Sequence, residues 1–174
     1  MALKPTAKGM SAAVLFSTRY GTTEKVARAF ETGLGEAGIK TVCMNTKEAA
    51  PESLRQYDLI CVGGPTEVFG ATKQIKEFLR AAGDTDLEGK LGFAFDTKLD
   101  SHMSGSAAKY IEHALDDQGV HLVAHRESAI VTTKKEGGKI VGADLKAGEE
   151  ERFVQLGIRV GKQAAEAKAL IDPN

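Results

Sequence analysis

The sequence predicts an α/β domain of the doubly wound type. Short apolar runs of strand length alternate with amphipathic patterns of helix length. One run, Tyr57 to Gly63, is continuously apolar after its first two residues, as expected of a strand buried on both faces. The junction at Val14 to Ala27 is the third sign. There an apolar run ends in a hydroxyl-rich turn, and a helical pattern follows directly.

Ser11 to Ser17 reads as the first strand. From Thr22 the period changes, and Val26, Phe30, Leu34 and Ala37 share one helical face. Lys40 to Met44 is a short second strand, Pro51 to Gln56 a helical turn or short helix, and Tyr57 to Gly63 the third strand. Ile75, Phe78, Leu79 and Ala82 form the next helical stripe, with Gly83 placed to end it. Lys90 to Phe95 is the fourth strand, and a helix over about Ser104 to Gln118 stops at Gly119. Val120 to Thr132 holds a fifth strand with a break near Arg126. Lys134 to Gly148, rich in Gly and Lys, reads as an extended loop or irregular hairpin. Glu149, Glu150 and Glu151 open a last helix, where acids suit the positive dipole end, and Phe153, Leu156, Val160 and Ala164 form its buried face.

A chain of 174 residues is most simply one domain with a sizeable core, and residues 1–10 read as an N-terminal tail. Apolar residues make up 42% and charged residues 27%, the balance of a soluble globular protein. A net charge of −1 argues for neither nucleic acid nor an anionic membrane as partner. No apolar run is long enough to span a bilayer and no leader of signal-peptide type is visible, so the cytoplasm is the expected location. Cys43 and Cys61 each sit in a strand-like run and read as buried free thiols rather than a disulfide or metal site.

The turn Ser17-Thr18-Arg19-Tyr20-Gly21-Thr22-Thr23 joins a strand end to a helix start. That order aims free helix N–H groups at one point, where a phosphate could be held. The hydroxyls can add donors around the same point, and Gly21 permits a tight turn. Hydrogen bonds to a charged group contribute roughly 1.5–3 kcal/mol each, against about 0.3–1 kcal/mol for the helix dipole. Convergent donors would therefore carry the affinity, with Arg19 pointing partly to solvent.

Val14, Leu15, Phe16, Thr18, Gly21, Thr23 and Ala27 fill the places of the flavodoxin signature, which this stretch closely resembles. The resemblance extends over about Ala12 to Ala165. It implies a flavodoxin-like parallel five-stranded sheet in the order 2-1-3-4-5, with flavin mononucleotide (FMN) as cofactor and its phosphate on the first loop. A ligand in such a sheet sits beyond the strand C-termini at the switch point between strands one and three. Gly63-Gly64-Pro65-Thr66-Glu67-Val68-Phe69-Gly70 resembles the family's second loop, which borders the isoalloxazine ring. The resemblance makes Pro65, Thr66, Glu67, Val68 and Gly70 ring-side positions. Phe69 is either a stacking residue or a core anchor for the next helix. Glu67, if it faces the ring, disfavours a negatively charged reduced flavin by repulsion. The third loop supplies Asp96 and Thr97 for the pyrimidine edge, with Lys98, Leu99, His102 and Met103 around the ring.

Three departures bear on what a bound flavin does. The chain is near neutral, whereas carrier flavodoxins are typically strongly acidic, so long-range steering is expected to be weak. There is no Trp, and Tyr20, Tyr57 and Tyr110 lie outside the second and third loops. Glycines flank the second loop instead of standing at its tip.

The leading reading is an FMN-binding electron-transfer protein whose partner is a redox protein or a small-molecule electron acceptor. An FMN-dependent NAD(P)H/quinone-type oxidoreductase and a non-redox phosphate binder stand beside it. Gly33-Leu34-Gly35-Glu36-Ala37-Gly38 matches G-x-G-x-x-G but ends a helical pattern before a strand, the reverse of a dinucleotide fingerprint. His121 and His125, on a strand, are about 13 Å apart, too far for one ion. Asp116-Asp117 and Glu149-Glu150-Glu151 read as solvated helix faces.

Overall fold

The computed structural model describes residues 6–173. Five parallel strands form its centre: β1 (Ser11–Phe16), β2 (Lys40–Asn45), β3 (Leu59–Glu67), β5 (Leu91–Leu99) and β7 (Glu127–Glu136). Between them stand two-residue strands, β4 (Gly70–Ala71) and β6 (His121–Leu122), and β8 (Lys139–Leu145) follows. The order β2-β1-β3-β5-β7-β8 reproduces the expected 2-1-3-4-5 for the parallel strands. It adds an antiparallel edge, because β8 returns along β7 with a register shift, which makes the Lys134 to Gly148 segment the irregular hairpin and not the extended loop. The fifth strand is indeed broken: β6 pairs with the start of β5, β7 with its end, and the Arg126 region lies between.

The helices are α1 (Thr22–Glu36), α2 (Lys73–Gly83), α3 (Ala107–Asp117) and α4 (Glu149–Ile171). A 3₁₀ turn covers Pro51–Gln56. Helices α1 and α4 cover one sheet face, where Phe30 stacks on Phe93 at 5.2 Å and Phe95 meets Phe153 edge-on at 6.0 Å. Helices α2 and α3 cover the other through Ile75, Phe78, Leu79, Ile111 and Leu115. The buried positions of α2 are the stripe read from the sequence; on α1 Val26, Phe30 and Leu34 are buried as read, joined by Ala27, Ala29 and Gly33, while Ala37 is the half-buried C-cap.

Of the expected tail, residues 1–5 lie outside the described residues. Ala7 and Met10 are buried against the core. The decoy G-x-G-x-x-G has a packing role: Gly33 is inside α1, and a Cβ there would stand 2.8 Å from the Gly157 Cα of α4. Backbone meets backbone at this crossing.

The acidic helix start is only partly solvated. Glu149 is buried and accepts from Ile130 N–H at 2.8 Å and from Arg152 Nε at 3.0 Å. The Arg152 hydrogen bond, aided by Ile130 N–H, holds its carboxyl below the usual range against the opposing effect of burial. Cys61 is buried and Cys43 half-buried, both unpaired. Burial pushes the Cys43 thiol up to about 12 and Cys61 further still, so neither is a ready thiolate.

Candidate functional site

The strand C-termini all open to one end of the sheet, and the loops after β1, β3 and β5 meet there. Between them lies a cleft of about 380 Å³, within the range of small-molecule sites. Arg19, Tyr20 and Thr22 form its first wall, Pro65 to Phe69 its second, and Thr97, Lys98, Leu99 and Ser104 its third. Val131, Thr133, Ile140 and Ala143 of the β7–β8 hairpin form a fourth wall.

The first loop is organised by Gly21. With φ of 87° it caps α1 in the left-handed region, which favours glycine. Gly21 N–H donates to Thr18 Oγ1 at 2.9 Å. No side chain caps the helix, in contrast to α2 and α3, whose first turns are capped by Thr72 and Ser106. The first intrahelical bond runs from Lys25 N–H to Gly21 C=O at 3.2 Å. The N–H groups of Thr22, Thr23 and Glu24 precede it and have no acceptor among the described residues.

The hydroxyls divide between cleft and interior. Thr22 lines the cleft. Thr23 is fully buried and its hydroxyl is bonded to Thr97 Oγ1 at 2.8 Å, tying the first loop to the third. Ser17 is buried too, with its N–H on Gly63 C=O at 3.1 Å and its hydroxyl 3.5 Å from Thr72. Neither Ser17 nor Thr23 presents its side chain to the cleft. Arg19 is exposed as expected, but its guanidinium lies 3.6 Å from Glu67 and 5.2 Å from the Tyr20 ring centroid. Tyr20 itself enters the cleft, and its hydroxyl donates to Ile140 C=O at 3.4 Å.

The second loop is a tight hairpin. Thr66 pairs with Ala71 and Glu67 with Gly70, which leaves Val68 and Phe69 as the two turn residues. Both have positive φ, 44° and 69°, the backbone of a type I′ turn that normally takes Asn or Gly. Val68 is 93% and Phe69 71% exposed, so the core-anchor alternative for Phe69 is excluded. Gly70 faces a neighbouring groove rather than the cleft.

The third loop begins later than expected, because β5 continues through Leu99. Asp96 is fully buried behind the cleft. Its Oδ2 accepts from Thr66 Oγ1 at 3.0 Å, Ser106 Oγ at 2.8 Å and Ala108 N–H at 2.9 Å. Thr66 Oγ1 in turn accepts from Ala107 N–H at 2.9 Å. Asp96 thus clamps the second loop to the start of α3 and is not placed at a ligand's edge. Thr97, Lys98 and Leu99 do line the cleft. His102 and Met103 do not: both are exposed in a turn pinned by Ser104 Oγ on Ser101 C=O at 2.8 Å. Their turn folds on itself and projects them outward.

The comparisons with known proteins agree with this geometry. The chain is 33% identical to a flavodoxin of Clostridium saccharobutylicum over 89 residues, 51% of this chain and 56% of that one. It thus spans about half the length of that relative. It is 26% identical to an NAD(P)H dehydrogenase (quinone) of Archaeoglobus fulgidus, over 88% of this chain and 94% of the other. Oxidised flavodoxin 1 of Bacillus cereus superposes with a TM-score of 0.72 at 20% identity, covering 87% of this chain and 97% of that one. The flavodoxin family model matches residues 14–155, so the chain belongs to the flavodoxin family, whose cofactor is FMN.

Proposed function

We propose that the chain holds FMN in this cleft and exchanges electrons with a redox partner in the cytoplasm. The observation that carries the reading is the uncapped start of α1. Three free N–H groups and the Thr22 side chain stand at the switch point between β1 and β3, beside a cleft of the right size. Of the other helices that start at this end, α2 and α3 spend a side chain on the same task, and α4, which also starts without a side-chain cap at Gly148, places no residue in the cleft wall.

The residues present fit the group. The phosphate would take the N–H groups of Thr22, Thr23 and Glu24 with the hydroxyls of Thr18 and Thr22. The ring would lie among Tyr20, Pro65, Phe69 and Leu99, which offer apolar faces and two aromatics. Bound FMN supplies the redox chemistry, and the protein sets its orientation and surroundings. The Arg19–Glu67 pair neutralises the one carboxylate that lines the cleft among the described residues, so the repulsion expected of Glu67 is largely cancelled. Among the described residues no helix is long and apolar enough to cross a membrane.

Titration with FMN and with riboflavin tests the reading. The purified protein should be yellow or should quench FMN fluorescence, and riboflavin, which lacks the phosphate, should bind much more weakly. No uptake of FMN at micromolar concentration would sink it. A second reading, a reductase of quinone-like acceptors, is favoured by the Archaeoglobus relative, matched over nearly its whole length. Reductive titration separates the two. Resolved one-electron stages support the carrier, whereas a single two-electron stage with turnover of NADH supports the reductase.

A further inference from the structure

The near-zero net charge conceals a separation of charge along the strand axis. Around the cleft mouth, three carboxylates of the loops and hairpin walls are matched by cations, while Glu136 near the hairpin tip has no cation within ion-pair distance among the described residues. Glu67 lies 3.6 Å from Arg19, Asp100 3.8 Å from Lys146 and Asp144 3.0 Å from Lys134. Five further lysines there have no carboxylate within ion-pair distance among the described residues: Lys76, Lys98, Lys109, Lys135 and Lys139. Lys98 lines the cleft itself. Lys135 stands directly opposite Ile140 in the hairpin register, so it shares the face that borders the cleft. Lys76 and Lys109 line a groove that shares Phe69 with the cleft, and Lys76 lies 5.3 Å from the Tyr110 ring centroid.

The other end of the sheet is richer in carboxylates, although Arg80, Lys40 and Lys90 stand there as well. Asp84, Asp86 and Glu88 follow α2, and Asp116 and Asp117 end α3. All five are exposed, and none is ion-paired among the described residues. The macrodipoles of α1 to α3, which begin at the cleft end, add to the same polarity; α4 begins there too, but its first turn carries Glu149, Glu150 and Glu151 outside the cleft wall. The cleft mouth is thus a positive pole that also exposes Val68, Phe69, Leu99 and Ile140. An apolar centre with a charged rim is the anatomy of a transient protein interface.

From this we infer that the cleft mouth docks a redox protein with an acidic face, in spite of the chain's net charge of −1. The inference rests on the proposed electron exchange at the cleft. Complementary charge acts mainly on the encounter rate and is weakened by salt. Expectations based on net charge alone, which predict weak steering, therefore fail for this surface.

The test uses two small redox proteins as probes, an acidic ferredoxin and a basic cytochrome c, with the FMN-loaded protein. The rate of electron exchange with ferredoxin should fall on the order of tenfold as ionic strength rises from about 10 mM to about 300 mM. With cytochrome c it should stay flat or rise. The variant K76E/K109E/K135E should lose most of the ferredoxin rate at low salt, while its affinity for FMN is unchanged. A ferredoxin rate indifferent to salt and to this variant would overturn the proposal. So would equal binding to anionic lipid vesicles, which would mark a non-specific basic surface. Binding of ferredoxin is also followed by NMR shift changes on the FMN-free protein, so a failure to hold FMN is read separately from a failure to dock.

Discussion

Replacing Val68-Phe69 by Asn-Gly should make the FMN-free protein more stable and its flavin site weaker. Both residues occupy the left-handed region at the tip of the β3–β4 hairpin, at φ of 44° and 69°. That backbone costs roughly 1–2 kcal/mol per L-residue other than Gly, Asn or Asp. Asn-Gly is the preferred pair for a type I′ turn, so most of that strain is relieved. Little burial is lost in exchange. Phe69 is 71% exposed and Val68 93%. A Phe side chain of roughly 200 Å² would thus give up about 60 Å² of contact, worth about 1.5 kcal/mol. The added entropy of Gly in the unfolded chain costs a further 0.5–1 kcal/mol, roughly. The balance is a gain of about 1 kcal/mol, or a rise in Tm of about 2–4 °C for a chain of this size. Urea unfolding of the FMN-free protein measures it, because bound ligand would add its own stabilisation. FMN affinity, followed by fluorescence quenching, should fall about three- to tenfold with loss of the ring contact. A variant less stable than the parent would refute the strain argument, and unchanged FMN affinity would refute the ring-side role of Phe69.

Three other outcomes follow from the packing, the phosphate loop and one buried acid. Gly157→Ala should destabilise by about 1–3 kcal/mol through overpacking, because a Cβ there stands 2.9 Å from Gly33 Cα and 3.0 Å from Leu34 N. Gly35→Ala has open space and should stabilise by about 0.5–1 kcal/mol; denaturant midpoints of the same sign for both would contradict the backbone contact between α1 and α4. Thr18→Val with Thr22→Val should weaken FMN at least tenfold, roughly the loss of one or two hydrogen bonds to a charged group, and riboflavin far less; equal losses in the two titrations would move the phosphate elsewhere. Glu149 has a folded pKa below its unfolded value, so its contribution is whole above about pH 4.3 and is lost as pH falls through the lower folded value. Glu149→Gln should therefore lower stability at neutral pH and shrink the fall between about pH 5 and pH 3, measured by urea unfolding at each pH; an unchanged acid limb would show that another carboxylate governs it.

The helix faces were legible because they rest on local periodicity, whereas the sheet order followed from the resemblance of the first loop to the flavodoxin signature. Val26, Phe30 and Leu34 repeat at helical spacing and are buried where α1 meets the sheet. Strand ends were less legible. The third strand was read to Gly63 and the fourth to Phe95, but pairing continues to Pro65 and Thr97. Polar residues such as Asp96 and Thr97 look like loop in sequence. They stay in the sheet because Thr66, Ser106 and Ala108 donate to Asp96 Oδ2 and Thr23 bonds Thr97 Oγ1, although Asp96 Oδ1 is buried without a partner among the described residues. No window of neighbouring residues contains that information.

The site was legible on three walls and not on the fourth, and the two hairpins show why. Gly137 and Gly138 take φ of 54° and 78° between the paired Glu136 and Lys139, a turn that a Gly-Gly pair announces. The fifth strand was read as far as Thr132 and the lysine-rich segment from Lys134 as an extended loop or irregular hairpin, so β7 runs on past its expected end, and Ile140 and Ala143 went unassigned to the cleft. The second loop inverts this relation. Val68 and Phe69 hold the same backbone with residues that disfavour it, and Phe69 meets Gly105 through a β-bridge. A relaxed turn would serve as well if the loop only joined β3 to α2. Keeping two exposed apolar side chains on a strained turn makes sense where the tip must present them. The local rule fails at the point where the cleft wall and the docking surface coincide, as strain stored at functional sites leads one to expect.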